Sequence, residues 1–402
     1  MADKPIKIFV DAHCFDTCFQ GTQTFIRELY RSLINRPNLD IYWGLHNADN
    51  LLQIFPEINT ANILHYKKRG PGILRFVFDI PYYIKKHRFD YAHFQYLAPI
   101  KQQGCKYIIT THDLLFNDFK SDFPFFYRWS RNILFKWSLK NAAIKTTVSE
   151  YSKSRIIEHF KIAAEEIEVI SNGVNTAFIA KEDAQIFIKE KYGIENFILY
   201  VSRIESRKNH CLLLEKYLKL RLYEKGMSLV FIGSETIPVK ALNNIIGKLS
   251  LEQKSMFFHL PQVDQNDLDA FYAGCKLFVY PSKAEGFGIP PLEAAINKVP
   301  VLCSSVTAMR DFDFFEPYFF DPENEEDFEM KLKGVISNPP SEKHLQIVSQ
   351  QILEKYQWQN SSKKFYHLLL TGQKKLIENR QLTGNQLETA YLNPQLHLKN
   401  TL

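Results

Sequence analysis

No apolar run in this 402-residue chain approaches the ~20 residues that cross a bilayer as a helix, so a membrane-spanning helix is not expected. Cysteine is sparse and badly spaced for metal or redox chemistry. Cys14, Cys18, Cys105, Cys211, Cys275 and Cys303 form neither a zinc ligand pattern nor C-x-x-C, and they read as reduced, mostly buried thiols. No G-x-G-x-x-G follows the first strand-like run, which disfavours a dinucleotide oxidoreductase. No internal sequence repeat is visible. The start, MADKPIKIFVDAH, passes from a polar tip straight into a strand, and a cytoplasmic protein is expected.

What is abundant is aromatic side chain, with 32 Phe and 20 Tyr. The length suits two domains, each able to bury its own core. The net charge of +6 lies wholly in the first part: residues 1–175 hold 23 Lys and Arg against 17 Asp and Glu, while 176–402 hold 27 against 27. The excess is densest from Lys67 to Arg88, where Lys67, Lys68, Arg69, Arg75, Lys85, Lys86 and Arg88 alternate with Phe76, Phe78, Tyr82 and Tyr83. Such a surface suits anionic lipid headgroups at the inner face of the plasma membrane, or an acidic glycan. A solvated helix face over a core stripe accounts for the same pattern. No nucleic-acid partner is expected.

Strand-like and helical runs alternate throughout, which predicts an α/β protein with doubly wound parallel sheets. KIFVDA, IYWGL, YAHFQ, YIITTHD, KTTVS and IEVIS form one series; FILYVSR, LVFIG, MFFHL, KLFVYP and VPVLCSS form a second. A linker is expected around 175–195. The first domain then covers 1–180 and the second 190–357, with a helix at about 358–372 packing back on the first and a tail over 373–402. Helical spacing runs from Thr22 to Asn35, and Phe126, Trp129, Ile133 and Trp137 form a one-faced stripe that reads as core. Ligands of such sheets bind beyond the carboxyl ends of the strands, where Gly21, His112, Asp113, Asn172, Gly173, Arg203 and Gly286 fall.

The most informative segment is YPSKAEGFGIPPLE, Tyr280 to Glu293, in which Glu285 and Glu293 flank Gly286, Gly288 and a Pro290-Pro291 pair. Pro291 suits the first position of a helix, with Ile289 and Pro290 extended before it and Glu293 in its first turn. Pro290 would then be the N-cap, and its missing N–H leaves Glu293 without a reciprocal capping bond and free to bind something else. In VSRIESRKNH, Arg203 and Lys208 follow a strand and precede a helix, placing a planar fork and a point charge where a diphosphate would sit.

In order and spacing, QGTQTFIREL, THDLLF, TTVSEYSKSRI, IEVISNGVN, VSRIESRKNH, VDQNDLDAFYAGC, YPSKAEGFGIPPLEA and VPVLCSSVTAMRDF resemble the retaining glycosyltransferases of family 4, over residues 6 to about 370. The resemblance implies a GT-B fold: two Rossmann-like domains facing across a cleft. It implies a nucleoside diphosphate sugar as donor, GDP-mannose slightly before a UDP-hexose, with a glycan or lipid-linked acceptor, as in bacterial polysaccharide mannosyltransferases. Glu293 would take the ribose hydroxyls. Glu285, with the backbone of Gly286, Phe287 and Gly288, would hold the transferred sugar. Arg203 and Lys208 would neutralise the departing diphosphate, so neither metal nor cofactor is implied. His112 would sit by the donor sugar; Gly21 would approach the donor, while Thr22, His112 and Asp113 face the acceptor. Leu260 to Val263, including Pro261, and Leu268 would hold the base. Gln20 stands where the family has a first glycine, Pro261 where a glycine is common, and Asn297-Lys298 where small residues are usual. Asp267 with Asp269, and Asp311 with Asp313, form D-x-D triplets that read as metal-free. A nucleotide-sugar epimerase of the same fold and a non-catalytic sugar-nucleotide binding protein are the alternatives.

Overall fold

The computed structural model describes residues 4–16, 20–67, 72–100, 104–175, 178–235 and 238–372. Cys18, Lys68, Arg69, the side chain of Gln20 and the tail over 373–402 lie outside the described residues. The first sheet contains β1 (Ile6–Asp11), β2 (Leu39–Leu45), β3 (Ile63–His65), β4 (Tyr91–Gln95), β5 (Lys106–Thr111), β6 (Ile144–Thr147) and β7 (Ile167–Val169). The second contains β8 (Phe197–Val201), β9 (Ser228–Ile232), β10 (Phe257–Leu260), β11 (Leu277–Tyr280), β12 (Val301–Ser304) and β13 (Phe319–Phe320). The strand orders are β3-β2-β1-β4-β5-β6-β7 and β10-β9-β8-β11-β12-β13, with every pairing parallel.

Helices cover both faces of these sheets, which is why central strands such as YAHFQ and SLVFI are buried at every position. Each order reverses once, between β1 and β4 and between β8 and β11. These switch points are where loops diverge and leave a crevice. The two loops after β8 and β11 carry Arg203 to Lys208 and Glu285; those after β1 and β4 carry His13 and Tyr96.

Four expectations are corrected. The stretch expected as a linker around 175–195 holds a helix, Lys181–Tyr192, packed against the Gln265–Gly274 helix of the second unit. β3 and β13, three and two residues long, are too short to show the alternation of a pleat by themselves; β7, also three residues, was legible only because its apolar run continues beyond it as IEVIS. Of the Phe126, Trp129, Ile133 and Trp137 stripe only Trp137 is partly buried: the first three are 79%, 58% and 49% exposed on the Phe125–Lys140 helix, which buries Phe135, Ser138 and Leu139 instead. Arg75 leaves the basic surface and turns inward, with 11% of its side chain exposed, to meet Asp11.

A helix over 358–372 returns to the first sheet. Ser362 Oγ donates to the Leu29 carbonyl at 2.7 Å and Tyr91 Oη to that of Leu369 at 3.2 Å. The outgoing and returning strands of chain touch at Val174, whose N–H donates to the Tyr356 carbonyl at 2.9 Å. Gly173 makes that crossing feasible, since a Cβ there would stand 2.3 Å from the Trp358 nitrogen.

Candidate active site

The loop after β11 delivers Glu285 to the switch point of the second sheet, where the residue is 8% exposed. Its Oε1 accepts from Lys208 Nζ at 2.5 Å and from Tyr280 Oη at 2.8 Å, while Oε2 lies 3.8 Å from Arg207. Its backbone N–H donates to Thr307 Oγ1 at 3.0 Å. Burial acts to raise the Glu285 carboxyl, and the Lys208 and Arg207 charges outweigh it, so its pKa stays below the usual range. Burial likewise pulls the Lys208 ammonium down, yet with an ionised carboxylate in hydrogen-bond contact the two remain an ion pair. Arg207 is held by Glu205 at 2.9 Å and by the Ala284 carbonyl at 2.8 Å. Arg203 stands further out, 41% exposed along its side chain and paired with Glu205 at 3.2 Å. The loop after β8 thus offers three cations, and Arg207, which sequence spacing did not single out, lies within 3.8 Å of Glu285, whereas Arg203 is paired with Glu205.

The helix carrying Glu293 spans Ile289–Ile296, starting two residues before Pro291. Its N-cap is Gly288, whose φ of +106° suits glycine alone, and both prolines sit in the first turn, where their absent N–H groups cost no hydrogen bond. Glu293 is therefore past the capping positions, and the turn geometry rather than Pro290 removes the capping role. A Cβ on Gly288 would meet Met309 Cε at 2.2 Å. Glu293 is largely buried beside Tyr272, and burial pushes its carboxyl up to about 7, aided by Asp269 and opposed by the Tyr272 hydroxyl and the Arg27 charge. Arg27 belongs to the Gln20–Arg31 helix of the first unit, so Glu293 senses a group across the cleft.

His112 comes from the end of β5. Its Nε2 lies 2.6 Å from Gln95 Oε1, which only accepts, so Nε2 carries the proton and Nδ1 is an acceptor. Gln95 Nε2 turns the other way, 3.2 Å from His93 Nε2, and His93 Nδ1 meets Tyr30 Oη at 2.9 Å. Phe25 packs edge-on against the His112 ring at 5.1 Å. Burial lowers the His112 pKa to about 4, so the ring is neutral. Burial raises Asp113, whose Oδ2 accepts from Tyr96 Oη at 3.4 Å.

The two units meet at this point. A Cβ on Gly286 would lie 2.9 Å from both the His112 carbonyl oxygen and Asp113 Cβ. Ser149, N-cap of the Glu150–Phe160 helix, donates to the Gly286 carbonyl at 2.7 Å, and Ser152 Oγ lies 2.8 Å from the His112 carbonyl and 3.2 Å from that of Gly286. Neither serine was singled out from sequence, although a Ser before a helical run is a capping signal. Also missed was Asp11 at the end of β1, which takes Tyr66 Oη at 2.7 Å and Arg75 at 3.2 Å and pairs with His13 at 3.3 Å.

A cavity of about 650 Å³ opens beside Asp113, lined by Thr22, Gln95, Tyr96, Phe116, Tyr127 and Arg131 among others. Gly21 is exposed in the first turn of the Gln20–Arg31 helix. Pro261 is exposed after edge strand β10, with Val263 and Leu268 partly buried behind it. Phe287 is buried against Phe312 and Tyr356, so it contributes backbone rather than side chain to the cleft. Asp267 is occupied by Lys191 at 2.6 Å and Tyr192, and no cluster of three or more His, Cys, Asp or Glu able to hold a metal occurs among the described residues.

Two family models match the chain: "Glycosyltransferase Family 4" over residues 19–178 and "Glycosyl transferases group 1" over 181–351. The O-antigen chain mannosyltransferase RfbU of Salmonella typhimurium is 29% identical over 239 residues, 58% of this chain and 61% of that protein. The serotype-specific mannosyltransferase WbdA of Escherichia coli is 27% identical over 59% of this chain and 29% of its own length, so the chain spans well under the whole of these relatives. Sucrose-phosphate synthase from Thermosynechococcus elongatus shares the fold, with a TM-score of 0.74 at 16% identity, covering 92% of this chain and 99% of that one.

Proposed function

Since the chain belongs to the family 4, group 1 glycosyltransferases with the GT-B fold, we propose that it transfers a hexosyl group, mannose from GDP-mannose before a UDP-hexose, to a glycan or lipid-linked acceptor during cell-surface polysaccharide synthesis. The mannosyltransferase names of its relatives support the sugar. The reading rests on one observation above all: Gly286, next to the buried Glu285 that pairs with Lys208, packs so close to the His112 carbonyl and Asp113 of the other unit that no Cβ would fit.

In this reading Glu293, ionised, accepts two ribose hydroxyls. Arg203, Arg207 and Lys208 surround the diphosphate and stabilise charge as the bond from sugar C1 to phosphate oxygen breaks. Arg203 releases Glu205 to do so. Glu285 Oε2 orients a sugar hydroxyl, and His112 Nδ1 accepts from another while staying neutral. The acceptor oxygen bonds to C1 on the face the phosphate leaves, and its proton passes to the departing phosphate oxygen, so configuration is retained. The charge this reaction develops is met by side chains, with no metal or cofactor assigned a step.

Titration calorimetry with GDP-mannose tests the donor assignment. Glu293→Ala is expected to cost about 2 to 4 kcal/mol of donor affinity, the worth of a charge-assisted bidentate contact left unmade. Equal affinity in wild type and variant would remove Glu293 from the ribose site.

A further inference from the structure

Among the described residues, more than half of the exposed large apolar side chains fall on two neighbouring stretches of the first unit. One is the Phe125–Lys140 helix, with Phe125 64%, Phe126 79% and Trp129 58% exposed. The other carries Ile73, Val77 and Tyr82. Ile73 and Phe76 line the same cavity as Tyr127 and Leu134, so the two stretches form opposite lips of its mouth. The cavity floor reaches Gln95 and Asp113, next to His112.

Charge separates the candidate occupants of this surface. The Phe125–Lys140 helix holds Arg128, Arg131, Lys136 and Lys140 and no acid. Across the mouth, Lys85, Lys86 and Arg88 are exposed, while the nearby Asp79 is buried. A second copy of the chain would bring like charge against like. Aromatic and aliphatic groups ringed by cations match the boundary between acyl chains and anionic headgroups.

We propose that these two lips seat on an anionic bilayer, with Phe125, Phe126, Trp129, Ile133, Val77 and Tyr82 entering the headgroup region, so that a lipid-linked acceptor delivers its polar head into the cavity between them. The docking surface stands on exposure and charge alone; the acceptor's route rests on the glycosyltransferase reading. The stripe is laid out for this: Phe126, Trp129 and Ile133 recur at three and four residues along the outward side of one helix.

The test is co-sedimentation of the full chain with phosphatidylcholine vesicles, with and without about 30% phosphatidylglycerol. Wild type is expected to sediment with the anionic vesicles, with a blue shift in tryptophan emission, and to be released by about 0.5 M salt. The triple variant Phe126→Ser, Trp129→Ser, Ile133→Ser is expected to lose about tenfold or more of that partitioning while keeping its thermal midpoint and its affinity for GDP-mannose. Wild type remaining in the supernatant, or a triple variant that partitions like wild type, overturns the proposal. So does a wild-type solution mass of twice the chain that the triple variant halves, which would assign the surface to a second copy. Vesicle capture without GDP-mannose binding would overturn the donor assignment and leave the docking surface standing.

Discussion

Lys208 and Glu285 illustrate how a charged pair can be costly to hold and costlier to break. Both side chains are nearly enclosed, so each has given up water for the other. Lys208→Met would leave Glu285 buried with Tyr280 and the more distant Arg207, and should destabilise the chain by about 3 to 5 kcal/mol, read by urea unfolding. Adding Glu285→Gln should recover most of that loss, because no uncompensated charge remains, while transfer stays abolished. A double variant no more stable than the single one would mean the pair is not coupled. Glu293 makes the opposite prediction with pH. Its folded pKa is raised to about 7, so its contribution to stability is full below the ordinary carboxylate range and is lost as pH rises through about 7. Thermal unfolding of the ligand-free chain from about pH 5 to 8 should show a decline that Glu293→Gln flattens. GDP-mannose affinity should run the other way, rising over the same interval, since ribose hydroxyls donate to the ionised form. A flat affinity profile would separate Glu293 from the nucleotide.

At the level of elements, legibility followed how local the governing forces are. Strand runs such as YAHFQ and FILYV announce themselves because both faces are buried, so apolar residues are continuous and the flanking turns are sharp. The helix over Ile289–Ile296 was placed two residues late because the bias of a residue before proline is weaker than the left-handed N-cap that Gly288 supplies. Spacing on the Phe125–Lys140 helix revealed an apolar side but not what it faces, and periodicity is identical for a core stripe and an exposed one. Where a motif carried the candidate site, the fold brings its residues close to the contact between the units: Lys208 pairs with Glu285, and the His112 carbonyl packs against Gly286. Arg207 and Gln95 were not legible, since an Arg beside a Lys and a Gln at a strand end carry no mark until the fold aims them at Glu285 and His112. Arg75 shows the converse error, a cation counted with a surface stripe because sequence does not reveal that Asp11 waits behind it.

For the whole molecule, the division of labour follows from the two switch points. Arg203, Lys208, Glu285 and Glu293 belong to the second sheet's unit, whereas His112 and the cavity beside Asp113 belong to the first. Turnover in the proposed reaction therefore needs the units closed, whereas the groups proposed for the nucleotide part of the donor all lie in the second unit. The closed contact depends on Gly286, on Ser149 and Ser152 at one helix start, and on the Tyr151 N–H donating to Asp311 at 3.2 Å. A side chain at Gly286 would have to displace the His112 carbonyl and Asp113, which lie 2.9 Å from its Cβ position. Gly286→Val should hold the units apart while leaving each core intact, because the substitution touches neither sheet. Small-angle scattering should report a larger radius of gyration, calorimetry a GDP affinity within about threefold of wild type, and transfer a loss of about a hundredfold or more, since groups displaced by an ångström lose that much. Wild-type turnover from an expanded variant would show that the reaction does not require the contact of Gly286 with His112 and Asp113.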